Sequence, residues 1–126
     1  MLEHEDLTAK IIGCSFDVIN ELGAGFLESV YQKSLLIALR EAGLRAEEQV
    51  PLRVFFRGQC VGEFFADILV EGKVIVELKA VKVLAPEHMA QVINYLNASR
   101  IAVGLLVNFG AAKLDYKRLH RREQKE

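Results

Sequence analysis

Between Asp67 and Lys79 the sequence reads DILVEGKVIVELK, two acids and a lysine set among branched apolar residues with a third acid and a second lysine at the turn. Segments of this kind form half or fully buried strands, where an ionised group is costly unless it is paired or binds a metal. Glu77 and Lys79 are two residues apart and so leave the same face of a strand. Whether Asp67 joins them depends on the turn at Glu71-Gly72. A two-residue loop would pair Asp67 with Val76 and send Glu77 to the other side, whereas an odd loop or a bulge would put Asp67 and Glu77 together. A shared site therefore predicts an odd register or a bulge.

Two carboxylates beside a lysine suit a hard, oxygen-seeking cation such as magnesium, which commonly binds through one or two carboxylates, several waters and substrate phosphates. Phosphodiester hydrolysis is the chemistry that follows. The metal activates a bound water and neutralises charge on the phosphate, while Lys79 positions that water or stabilises the transition state. The competing reading is a Glu77–Lys79 ion pair on an exposed sheet face, which is what an isolated E-x-K usually is.

The elements that must position these residues follow from periodicity. Leu7, Ile11, Ile12, Phe16, Ile19 and Leu22 recur at helical spacing, with Asp6 as N-cap and Gly23 as stop. A second helix spans about Leu27 to Ala42, with Glu28, Tyr31, Leu35, Leu39 and Ala42 on one stripe, so Glu28 lies in line with an apolar face. Its simpler role is to favour the helix dipole. Val50–Arg57, Cys60–Val70 and Lys73–Lys79 then alternate as three strands joined by turns at Arg57-Gly58 and Glu71-Gly72, an antiparallel meander. Pro86 opens a helix reaching about Ser99, in which Met89, Ile93 and Leu96 form an apolar stripe and His88, Gln91 and Tyr95 share another side. The nearly continuous apolar run Ile101–Val107 reads as a strand covered on both faces and parallel to the third. Lys113–Leu119 fits a short edge strand or a terminal helix. The class is α/β, a mixed sheet flanked by helices.

At 126 residues the chain suits one domain over 1–126. No window approaches the roughly 18 apolar residues of a membrane span, and the acidic start MLEHEDLTAK is unlike a secretory signal, so a cytoplasmic protein without a membrane partner is expected. Cys14 and Cys60 are far apart with no neighbouring His, and read as small apolar residues rather than a zinc site or disulfide. The net charge of -1 argues against a wholly basic nucleic-acid coat. Positive charge gathers locally at Lys113, Lys117, Arg118, Arg121, Arg122 and Lys125. This basic tail, about 117–126, is either a solvated terminus or a phosphate contact.

Asp67 followed by Glu77-Leu78-Lys79 across a hairpin resembles the PD-(D/E)xK nuclease superfamily, whose core of helix, three strands, helix and strand matches the predicted order. Gln91-Val92-Ile93-Asn94-Tyr95 looks like the Q-x-x-x-Y element of RecB-like members. GFLESVY, Gly25 to Tyr31, matches the signature that names the small GxxExxY family. The resemblance runs from about Leu7 to Leu119. It implies that Asp67 and Glu77 are metal ligands, with the Leu78 carbonyl as an extra one, Glu28 as the helical acid facing the metal, and Lys79 as the catalytic lysine. Gln91 and Tyr95 would contact the nucleic-acid backbone or support the metal shell. His88 shares their face but matches no motif. Ala66 stands where the superfamily has proline, a position that varies widely. The implied activity is a nuclease using Mg2+ or Mn2+ on DNA, with RNA the second choice. The small size leaves room for a homodimer or a protein partner. The alternative is a catalytically idle module on the same scaffold, binding nucleic acid or a protein.

Overall fold

The computed structural model describes residues 2–122. Helices α1 (Glu5–Leu22) and α2 (Glu28–Glu41) precede strands β1 (Ala46–Phe56), β2 (Gln59–Val70) and β3 (Val74–Lys79). Helix α3 (Pro86–Ser99) then leads to β4 (Val103–Asn108) and β5 (Asp115–His120). The five strands lie in the order β1-β2-β3-β4-β5. Only β3 and β4 run parallel, with α3 as their crossover, and the other neighbours are antiparallel. The sheet is therefore mixed and flanked by helices, as the sequence pattern predicts. No helix among the described residues is long and apolar enough to cross a membrane.

Each face of the sheet buries a separate core. Val74, Val76 and Leu78 of β3 and Val103, Leu105 and Val107 of β4 pack with Ile11, Val18, Tyr31, Leu35 and Leu39 of α1 and α2. Ile75 and Leu106 pack on the opposite side with Val92, Tyr95 and Leu96 of α3. By strand alternation Glu77 and Lys79 share the side of Ile75. Both strands of the central parallel pair are covered on both faces, which explains the apolar run of β4 and the apolar start Val74–Val76 of β3.

Several boundaries differ from the sequence reading. Asp6 lies inside the first turn of α1, whose N-cap is His4 in a left-handed conformation. Ala42 is exposed just past the end of α2, so the buried stripe is Tyr31, Leu35, Leu36 and Leu39. On α3 the buried residues are Val92, Tyr95 and Leu96, with Met89 at the edge. Of the two readings for Lys113–Leu119 the edge strand is the one that forms, as β5, so Lys117 and Arg118 of the basic tail lie in the sheet, where Arg118 Nη1 donates to Thr8 Oγ1 at 2.6 Å. Lys125 and the rest of 123–126 lie outside the described residues.

Candidate active site

The hairpin between β2 and β3 decides whether a site exists. Three residues, Glu71 to Lys73, separate the strands, and the left-handed region is used at Glu71 (φ 54) and Gly72 (φ 64). The register Ile68↔Val76, Leu69↔Ile75, Val70↔Val74 continues to set Asp67 opposite Glu77. This is the odd register that a shared site demands. At that position side chains take over from the ladder: the Asp67 amide donates to Glu77 Oε2 at 2.6 Å, and the Leu78 amide donates to Asp67 Oδ2 at 2.9 Å.

The neighbouring ladder is also interrupted there. Glu48↔Ile68 and Val50↔Ala66 bracket Gln49 and Asp67, and Gln49 has φ 50. The faces exchange across this break. Val50, Leu52 and Ala66 join the α3 core, whereas Ala46, Ile68 and Val70 join the core under α1 and α2. A non-glycine residue held left-handed in a strand is costly and marks a local constraint. Here the kink leaves Asp67 free to bond β3 with its side chain.

Burial and like charge explain the electrostatics. Glu77 is 4% exposed. Its desolvation, followed by the adjacent Asp67 charge, pushes its carboxyl up to about 8 against the opposing Asp67 amide and Lys79. Asp67 is half-buried and also raised by desolvation, against the Leu78 amide, Lys79 and a hydrogen bond from Gln49. Glu28 keeps an exposed side chain overall, yet its carboxyl loses hydration and rises, with Lys79 opposing, Asp67 reinforcing and His88 opposing. The Tyr95 phenol is raised by burial and then by Glu77 and Asp67. Glu28, Asp67, Glu77, Lys79 and Tyr95 are thus electrostatic neighbours.

Not every predicted residue lies at this centre in the same way. Tyr95 is buried in the α3 core beside Phe64, with ring centroids 5.5 Å apart, while Gln91 is exposed on the same helix. The two are neighbours by helical spacing but differ in burial. His88 caps α3, its Nδ1 accepting from the Ala85 amide at 3.0 Å, and its charge is felt by Glu28. The Leu78 side chain is fully buried, and its amide is already committed to Asp67.

Local sequence fixes Glu28 through its neighbours. Gly25 adopts φ 109, a conformation that L side chains rarely adopt. Tyr31, fully buried, donates its hydroxyl to Gly23 O at 2.7 Å and accepts from the Phe26 amide at 3.2 Å, tying down the loop that precedes Glu28. Its ring stacks on Phe109 at 4.8 Å, and the Phe109 amide donates to Lys79 O at 2.8 Å. The glycine and tyrosine of GFLESVY therefore hold the glutamate's loop against the end of β3.

Three residues escaped the sequence reading. Gln32 Nε2 reaches Asp67 O at 3.5 Å and its Oε1 accepts from Gln49 Nε2 at 3.3 Å. Its spacing of four from Glu28 on α2 was a usable signal, whereas nothing local marks Gln49. Buried Asn108, aligned with Lys79 in the parallel register, bonds both the amide and the carbonyl of Val81 and the Gly110 amide. It fixes the chain as it leaves the site.

Among the described residues no three Asp, Glu, His or Cys side chains form a complete metal-ligand cluster. The donor set is smaller, two adjoining carboxylates with main chain and solvent, and magnesium commonly accepts such a set. Three carboxylates near one ammonium carry excess negative charge, which adds to the effect of burial in raising Glu77. The residues fit a divalent cation.

The family model of the PD-(D/E)XK nuclease superfamily matches residues 5–119. The crystal structure of SSO0001 is similar, with a TM-score of 0.63 and 15% sequence identity, covering 96% of this chain and 61% of that one. At that identity the likeness is one of fold, and the chain spans about three fifths of that protein's length. No curated protein matches the sequence.

Proposed function

The chain belongs to the PD-(D/E)XK nuclease superfamily, and from that premise we propose that it hydrolyses phosphodiester bonds of DNA, with RNA the second candidate. The observation that carries this reading is the reciprocal bonding of Asp67 and Glu77 across the β2/β3 hairpin, with Lys79 on the same side. Asp67 and Glu77 would hold a magnesium or manganese ion, with the Leu78 carbonyl as a further oxygen and Glu28 at the rim. When bound, such an ion lowers the pKa of a water and offsets charge on the scissile phosphate.

The chain's own groups supply the rest. Lys79 lies beside three carboxylates, suited to orient the attacking water and stabilise the charge that develops on phosphate. Gln32 and Gln49 restrain Asp67 from the opposite side. Tyr95 borders the site from α3, and its hydroxyl suits a hydrogen bond to the carboxylates or to substrate. Gly25, Glu28 and Tyr31 support a finer assignment to the GxxExxY family, since each has a distinct task in presenting Glu28.

Incubation with single- and double-stranded DNA and RNA tests the proposal. Cleavage is expected with magnesium or manganese and not with chelator, and Glu77→Ala and Lys79→Ala should abolish it. One observation favours a second reading, an idle nuclease-fold module that binds nucleic acid or a protein. Each carboxylate already spends one oxygen on a main-chain hydrogen bond, which leaves fewer lone pairs for a cation. Intact substrates from a wild type that still binds metal would select it.

A further inference from the structure

The carboxylates occupy one end of the α3 side. Toward the other end lies an open groove of about 1710 Å³, lined from the β1/β2 hairpin by Phe55 and Phe64 and from the ends of α3 and β5 by Arg100, Arg121 and Arg122. Its size exceeds the roughly 300–1,000 Å³ of small-molecule sites, so it suits part of a polymer. Positive charge is concentrated in it, although the whole chain carries -1. A fourth arginine, Arg53, is paired with Glu63 at 3.1 Å; no ion pair among the described residues engages the other three, although Arg121 Nη1 donates to Arg100 O at 2.7 Å. Glu3 is the one acid on the lining.

The hairpin side is apolar in a specific way. Phe55 is 60% exposed and Phe64 is 44% exposed, offering aromatic surface to solvent beside arginines. Arginine with exposed aromatics is the chemistry that tracks a phosphate backbone while stacking bases. In a duplex the base faces are already stacked, and the phenyl groups would find nothing to pack on. Phe64 also lies three residues before Asp67 on β2, roughly 10 Å along the strand.

We propose that this groove binds single-stranded nucleic acid, phosphates on Arg100, Arg121 and Arg122 and bases against Phe55 and Phe64, and leads the strand toward Asp67 and Glu77. What happens to the strand at the carboxylates rests on the phosphodiesterase reading. Binding in the groove needs no metal.

Fluorescence anisotropy of a labelled oligothymidylate of about 15 nucleotides, in chelator so that nothing is cut, tests the groove. The wild type should bind it more tightly than a duplex of equal length. Arg100→Ala with Arg122→Ala should weaken binding at least tenfold and flatten log Kd against log salt by about 1.4. Phe55→Ala should weaken it roughly 5- to 100-fold with the salt slope unchanged, and Phe55→Trp should restore it. Circular dichroism on each variant confirms the fold. An unchanged slope in the arginine variant overturns the groove. Duplex bound as tightly as single strand, or a silent Phe55→Ala, overturns the single-strand assignment. No cleavage by the wild type, with single-strand binding intact, would refute the enzyme and spare the groove; wild-type cleavage with groove variants that bind as tightly as the wild type would do the reverse.

Discussion

Asp67 and Glu77 each accept a hydrogen bond from the main chain of the strand that carries the other, at 2.6 Å from the Asp67 amide and 2.9 Å from the Leu78 amide. The pair is therefore part of the sheet's hydrogen bonding as well as a chemical site. Two like charges are held together by the main chain while burial and repulsion favour protonation, and the tension is greatest at Glu77.

That tension gives stability a pH dependence. Glu77 titrates near about 8 when folded and near 4.5 when exposed, so between those values the folded state holds a proton that the unfolded chain has released. Stability of the metal-free protein should therefore fall as pH rises from 4.5 to about 8, with a slope from this group on the order of 1 kcal/mol per pH unit. Asp67 contributes with the same sign. Glu77→Gln keeps an acceptor for the Asp67 amide without the charge, and should be more stable than wild type by about 1–3 kcal/mol at alkaline pH and equal to it near the unfolded carboxylate pKa. Urea denaturation in chelator at the two ends of this range measures the difference, and parallel curves for the two proteins would contradict the account.

A divalent ion should reverse the trend. It must displace the Glu77 proton, so affinity rises with pH up to about 8. At a hundredfold excess over its Kd, magnesium or manganese should stabilise the folded state by about 2.7 kcal/mol, with a smaller gain under acidic conditions. Asp67→Ala should erase the gain at every pH in differential scanning fluorimetry.

Much of this arrangement is legible in the sequence because strand alternation ties Glu77 to Lys79 and leaves only the turn to decide the fate of Asp67. The odd register follows from a chemical demand, and the three-residue turn meets it. Alternation fails at Gln49, where a left-handed backbone exchanges the faces of two strands at once and no residue type announces it. The α3 face is misread for a related reason. Helical spacing groups Tyr95 with Gln91, but an aromatic ring long enough to reach the sheet packs with Val92 and Leu96 and leaves Gln91 outside. At the basic end the pattern allows an edge strand or a helix, because alternating charge on one exposed strand gives no clear period, and the chain forms the strand.

Lys79 separates catalysis from binding. Lys79→Met keeps an apolar stem of similar length and removes the ammonium, so turnover should drop by about 10²- to 10³-fold while the metal-induced thermal shift survives. Because Lys79 opposes the raised pKa of Glu77, its loss should also move the pH profile of metal binding upward. A variant that loses metal binding would make Lys79 a structural neighbour of the site instead.

Tyr31 tests how Glu28 is held. Tyr31→Phe keeps the stack on Phe109 but deletes the hydroxyl that bonds Gly23 and Phe26, at a cost of about 1–2 kcal/mol. Amide exchange at Phe26 should quicken more than exchange at Leu78, and cleavage should fall further than global stability explains. Uniform acceleration across both amides would show that the hydroxyl stabilises the fold without positioning Glu28.

Gly110 tests the chain's exit from the site. A Cβ added there would lie 2.3 Å from Val81 N and 2.4 Å from Ala80 C, main-chain atoms that no side-chain rotation can move. Gly104 is crowded too, but less so, and its nearest atom is Val92 Cγ1 at 2.8 Å, part of a side chain that can shift. Gly110→Ala must push the segment after Lys79 away from Asn108, whose amide group binds Val81 on both its N–H and C=O. Its cost should be about 3 kcal/mol or more, against about 1–2 kcal/mol for Gly104→Ala. Thermal denaturation of the two variants ranks them, and metal-induced stabilisation should be reduced only in Gly110→Ala, because only that change displaces the backbone that carries Lys79. Equal costs, with metal response intact in both, would mean that the segment after β3 can yield without disturbing the carboxylates.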